Sequence, residues 1–172
     1  MKIIFIFLFV SFTSFFYFST VTAVNPSDVV INEIAWMGTT ASANDEWVEL
    51  KNNTAQNINL DGWTLRAADG APEIKLTGVI SANSFYLLER TDDSTVPNIT
   101  ADLIYKGALS NNGEDLWLYD GNNNLIDEAN FSIGWNFGDN TTKQTVEKSS
   151  TGWQTSKDAG GTPRAQNNQQ DV

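Results

Sequence analysis

"INEIAWMGTTASANDEWVEL", residues 31–50, is the stretch of the chain that decides the fold. Its second half continues as "EWVELK", an alternating pattern that places Val48 and Leu50 on one face of a strand and Glu49 and Lys51 on the other. Its first half is an apolar segment, and only small and polar residues separate the two halves. The pattern therefore predicts two adjacent β-strands joined by a short loop.

The chain after residue 23 continues in the same way, without any run of helical period. Short apolar or alternating segments are separated by clusters of Gly, Asn and Asp, a pattern typical of an all-β sandwich or barrel. We predict nine strands, at residues 29–36, 46–52, 62–67, 73–76, 84–89, 102–105, 115–120, 125–130 and 145–148. The chain is therefore expected to fold around one β-sheet core.

The string "YDGNNNLID", residues 119–127, places Asp120-Gly121 and three Asn residues between two apolar segments. Gly and Asn tolerate the positive φ of tight turns, so the string predicts a β-hairpin. A calcium loop is the alternative. We favour the hairpin because the alternating Asp/Asn spacing and the closing Glu of that motif are missing.

Residues 1–23, "MKIIFIFLFVSFTSFFYFSTVTA", resemble a secretory signal peptide with one cation at Lys2, an apolar run and small residues at the end. We predict cleavage after Ala23 and a secreted or otherwise extracytoplasmic protein. The alternative is an uncleaved membrane anchor through residues 3–22, because about 20 apolar residues can span a bilayer.

The remaining chain divides into one domain at residues 24–160 and a tail at residues 161–172. The stretch after Trp153, "QTSKDAGGTPRAQNNQQDV", contains no apolar run, so we predict that it is flexible from about residue 161 onward.

The composition excludes several classes of function. The chain has 21 Asp and Glu against 10 Lys and Arg, a formal net charge of −11, so a nucleic-acid partner is disfavoured because phosphates would be repelled. It contains no His and no Cys, which excludes Ser-His-Asp and Cys-His catalysis and the usual zinc ligands. No nucleotide-binding motif occurs. We predict no cofactor, no metal site and no enzymatic activity.

Carboxylate chemistry is the enzymatic alternative that remains. Glu33 with Glu46 or Glu49 would be the pair of a glycosidase, which needs two carboxyls in one concave pocket. The structural interpretation is simpler and we favour it. It expects the acidic side chains to line strand edges and solvent, with Glu49 beside the cation of Lys51.

Three of the six tryptophans are candidates for ligand binding. Trp63 and Trp117 lie inside apolar strands and are expected to be fully or half buried in the core. Trp36, Trp135 and Trp153 lie at strand ends or in Gly-rich segments, where an exposed indole could stack on a sugar ring. Their alternative role is to hold loops against the core.

Five segments, in order, resemble the lamin tail domain family as found in exported bacterial proteins. They read "VVINEIAW", "DEWVELKNNTAQNINLDGWTLR", "SANSFYLLER", "ADLIYKGALSNNGEDLWLYDGNNNLID" and "GGTPRAQN", and they cover residues 29–167.

The resemblance implies an immunoglobulin-like β-sandwich of about seven to nine strands. It implies a non-catalytic module that binds or attaches to a protein or cell-surface component. A carbohydrate-binding module of the cell envelope, with a polysaccharide partner, is the alternative. Six positions match the family's apolar core: Ile31, Ile34, Val48, Leu50, Trp63 and Leu65.

Overall fold

The structure is a computed structural model that describes residues 24–168. The predicted signal peptide lies outside the described residues. Within them the chain forms twelve β-strands. Their bounds are β1 Val29–Ala35, β2 Trp47–Asn52, β3 Ile58–Asn59, β4 Thr64–Ala67, β5 Glu73–Lys75, β6 Val79–Ile80, β7 Phe85–Arg90, β8 Leu103–Tyr105, β9 Asp115–Tyr119, β10 Leu125–Asn130, β11 Gln144–Ser149 and β12 Gly152–Ala159.

The strands form two main sheets and one short ribbon. The larger sheet has the order β12-β11-β1-β2-β7-β8, the smaller sheet has the order β10-β9-β4-β5, and β3 pairs with β6. Neighbouring strands are antiparallel except for β7 and β8, which are parallel. Buried apolar side chains from both main sheets form one core. The predicted all-β, immunoglobulin-like β-sandwich is confirmed. No helix in the described part of the chain could cross a membrane.

All nine predicted strands are present, each within two residues of its expected bounds. The sequence did not predict β3, β6 and β12. The first two have only two residues each. Strand β12 is an edge strand in which only Gln154 and Ser156 are buried, so it has no apolar run to reveal it.

A β-bulge in β1 sets the orientation of this strand. Ile31 lies opposite Leu50 of β2, whereas Glu33 lies opposite the preceding residue, Glu49, so Asn32 is the extra residue. In a regular strand, side chains three positions apart point to opposite faces, so Ile31 and Ile34 could not both point into the core. The extra residue of the bulge places both on the same face. It lets Ile31 and Ile34 both enter the core. All six predicted core positions are buried, with at most 4% of their surface exposed.

The same register places three glutamates side by side. Glu33 of β1 is the partner of Glu49 on β2 and of Glu147 on β11. Directly paired residues of antiparallel strands point to the same face of a sheet. We call Glu147, Glu33 and Glu49 the glutamate row. It lies on the outer face, because the neighbouring row of Val146, Ile34 and Val48 belongs to the core.

Residues 161–168, which we call the C-terminal strap, cover the glutamate row. Thr162 donates hydrogen bonds to Glu33, and the backbone N–H of Arg164 donates to Glu49. Asn167 is only 3% exposed and bonds to Asn32. Residues 161–168, which belong to the predicted flexible tail, are thus hydrogen-bonded to the sheet in the structure. Hydrogen bonds to buried acids hold this segment, and an apolar run is not needed.

Candidate functional site

The glutamate row is the most unusual chemical feature of the structure. Glu33 accepts hydrogen bonds from the Thr145 hydroxyl and from the backbone N–H of Thr162, the latter at 3.0 Å. Glu49 accepts from Asn32 Nδ2 at 2.9 Å. Glu147 accepts from Gln154 Nε2 at 2.7 Å. All three carboxyls are fully buried.

Burial changes the acidity of these three groups. Desolvation raises the pKa of Glu33 to about 7 and that of Glu49 to about 8, because a carboxylate loses its hydration inside the protein. The pKa of Glu147 is raised for the same reason. Hydrogen-bond donors on the strap and the sheet lower these pKa values, but by less than desolvation raises them. Such groups are candidates for proton transfer in open clefts. Here the strap closes access to them.

The structure gives Glu33 and Glu46, one of the two carboxyl pairs considered for a glycosidase, separate hydrogen-bond partners. Glu33 bonds to Thr145 and the strap, whereas Glu46 accepts from Arg90 Nη1 at 2.9 Å and from the backbone N–H of Leu109 at 2.8 Å. The two carboxyls share no hydrogen-bond partner, and their residues are 0% and 3% exposed. A glycosidase needs both carboxyls at one substrate. The arrangement of Glu33 and Glu46 therefore gives no support to catalysis by this pair.

The predicted surroundings of the acidic residues are wrong. Glu33, Glu46 and Glu49 do not line strand edges or solvent, because all three are buried. The cation that acts on Glu49 is Arg164, and the Lys51 ammonium instead bonds to Gln166 Oε1 at 2.8 Å. No local sequence pattern shows that a distant segment covers the sheet here.

The three candidate tryptophans lie in one aromatic cluster around Phe131. Trp36 stacks on Trp135, with ring centroids 5.4 Å apart and planes 2° apart. Phe131 contacts Trp135 at 5.0 Å and Trp153 at 5.3 Å. The cluster joins the end of β1 to the segment after β10 and to β12, so the structure brings together residues more than 100 positions apart.

Much of the ring surface in this cluster is already in contact with protein. Trp36 is 8% exposed, and Trp135 is partly exposed with its Nε1 donating to the Ser110 carbonyl at 2.8 Å. The Lys148 ammonium lies over the Trp153 ring at 5.3 Å from the centroid. Sugar stacking requires a free ring face. Trp135 stacks on Trp36, and the Trp153 ring carries the Lys148 ammonium above it and the edge contact with Phe131.

The most exposed apolar side chain of this region was not predicted from the sequence. Ile133 follows Phe131 by two residues and is 91% exposed, beside the half-buried Trp135. We call Phe131, Ile133, Trp135 and Trp153 the aromatic edge. The string "FSIGWNF" was the available signal, because it concentrates large apolar residues in a loop.

The predicted hairpin at residues 119–127 is confirmed. Strands β9 and β10 pair across it, Asp120 Oδ1 accepts the N–H groups of Asn122 and Asn124, and Asn123 has a positive φ of 63°. The Asp120 carboxylate is thus used in closing the turn. Among residues 24–168, no group of three acidic side chains is placed to hold a metal ion.

Trp63 is 4% exposed and Trp117 is partly buried, as predicted for strand residues.

The fold and the motif order agree with a comparison to known families. The model of one family, described as the Lamin Tail Domain, matches residues 22–133, which is more than half of the chain. No curated protein matches the chain. The chain therefore belongs to the lamin tail domain family.

Proposed function

We propose that this protein is an exported, non-catalytic binding module that attaches to a protein component of the cell surface. Family membership supports a binding module of immunoglobulin-like fold. The apolar leader at residues 1–23 supports export. Burial of the glutamate row supports the absence of carboxylate catalysis.

The observation that carries the proposal is the aromatic edge. An isoleucine that is 91% exposed, next to partly exposed indoles, is the kind of surface that proteins bury on association. A protein partner fits this surface better than a sugar, since Trp36, Phe131 and Lys148 already occupy ring surface of Trp135 and Trp153.

Replacement of Ile133 by Ser tests this proposal. Ile133 is almost fully exposed, so we expect the free energy of unfolding to change by less than about 0.5 kcal/mol. We expect binding of the labelled protein to cells of its source, measured by flow cytometry, to weaken about tenfold.

Val79→Ser is the matched control. Val79 lies on β6 and is 55% exposed, but it is not part of the aromatic edge. Unchanged binding by Ile133→Ser would reject the aromatic edge as the contact surface. Protease treatment of the cells should abolish binding of the wild-type protein. If binding survives protease and is lost after glycan removal, the partner is the polysaccharide of the alternative hypothesis.

A further inference from the structure

A pocket of about 380 Å³ lies beside the C-terminal strap. Nine residues line it: Ser27 before β1, Val30 and Asn32 of β1, Lys51 of β2, Asn53 after β2, Lys148 and Ser149 of β11, Ser150 of the following turn, and Gln166 of the strap. Its volume falls within the range of about 300–1000 Å³ that is usual for small-molecule sites. None of the aromatic-edge residues lines it.

The charge of this pocket is opposite to that of the protein. The chain carries a net charge of −11, yet the lining contains two lysines and no acidic residue. The Lys148 ammonium is paired with Asp127 at 2.8 Å. Among the ion pairs of the described residues none involves Lys51. Lys51 therefore supplies one positive charge that no carboxylate of the described chain pairs with.

Contacts beneath the pocket hold its lining in place. Lys51 Nζ donates to Gln166 Oε1 at 2.8 Å and lies 5.6 Å from the centroid of the Phe85 ring. The strap is fixed on either side of Gln166, because Arg164 is bonded to Glu49 and Asn167 to Asn32. The lysine is thus positioned before any ligand arrives, which lowers the entropy cost of binding.

We propose that this pocket binds a carboxylate-bearing saccharide, such as a hexuronate residue, with its carboxylate paired to Lys51. A single uncompensated cation matches a monoanion, whereas phosphate sites usually offer arginine forks or helix N-termini. Asn53, Ser149, Ser150 and Gln166 line the same pocket as the lysine and carry hydroxyl and amide groups. These groups both donate and accept hydrogen bonds, as sugar hydroxyls require.

The test is a titration of the ¹⁵N-labelled protein with D-glucuronate, followed by NMR. We expect shifts confined to the backbone signals of the lining residues 27, 30, 32, 51, 53, 148–150 and 166, with millimolar affinity that weakens at high salt. The neutral analogue glucuronamide has nearly the same shape and should bind at least fivefold more weakly. Lys51→Gln should reduce the affinity for glucuronate by a similar factor.

Lys75→Gln is the matched control, because Lys75 is exposed on β5 in the other sheet. It should bind glucuronate like the wild type. Equal affinities for glucuronate and glucuronamide, shifts that map elsewhere, or no shifts would overturn the proposal. Inorganic phosphate that binds more tightly than glucuronate would also overturn it. The readout does not involve Ile133, so the failure of one proposal leaves the other standing.

Discussion

The free energy of unfolding of this domain is expected to fall by about 3 kcal/mol or more as the pH rises from 5 to 9. Glu33 has a pKa of about 7 in the fold, against 4.5 for an ordinary glutamate. Between these values the folded state keeps a proton that the unfolded chain releases, so a rise in pH favours unfolding. The difference for Glu33 alone corresponds to about 3 kcal/mol.

Glu49 acts in the same direction, because its pKa is raised to about 8. The stabilisation is fully present below pH 4.5 and is lost progressively as the pH rises from 4.5 through the folded pKa values of about 7 and 8. The aspartates whose pKa is lowered lose their contribution only in more acidic solution, below the tested window: Asp92, Asp120 and Asp139. Urea denaturation at a series of pH values measures the effect.

Glu33→Gln identifies the group responsible for this pH dependence. The amide cannot ionise, so the variant should show a smaller fall in stability between pH 5 and 9. Glu73→Gln, at an exposed position of β5, should keep the full fall. A wild-type stability that does not change over this range would show that the glutamate row is not buried as the structure describes.

Gly161→Ala is expected to release the C-terminal strap and to cost about 2–4 kcal/mol of stability. Gly161 has a φ of 66°, and a β-carbon there would overlap Glu33 Oε1 and Thr145 Oγ1. These two atoms are hydrogen-bonded to each other inside the sheet, so they cannot move aside without losing that bond. Urea denaturation and the rate of proteolysis within residues 161–168 measure the outcome.

Gly160→Ala separates the steric effect from the backbone effect. Gly160 also has a positive φ, 78°, but a β-carbon at this position meets nothing within 4 Å. This variant should therefore lose only the backbone preference, about 1 kcal/mol, and keep the strap docked. Equal losses in the two variants would contradict the close packing of the strap on Glu33.

The two predictions are linked through the glutamate row. If the strap leaves in Gly161→Ala, water reaches Glu33 and Glu49, and their pKa values should return toward the ordinary range. The variant should then show a weaker pH dependence of stability than the wild type. Gly160→Ala should retain the wild-type dependence.

The sequence by itself determined the sheets and their core. Alternation along residues 46–51 predicted β2, and the Asp-Gly and Asn signals predicted the hairpin between β9 and β10. These features are local, because the period of a strand and the φ preference of a turn residue depend on neighbours in the chain. The motifs in the sequence also predicted the family, and four of the five lie within the matched residues 22–133.

Only the tertiary structure decided the surroundings of the acidic and aromatic side chains. Glu33 meets Thr145 and Thr162, which are 112 and 129 positions away, and Trp36 meets Trp135. Edge strand β12 and the strap are polar in sequence, so neither shows an apolar pattern. The register of β1 with β11 aligns Glu33 with Glu147, and the strap covers the glutamate row. The burial of a carboxylate depends on what covers it and not on its neighbours in the chain.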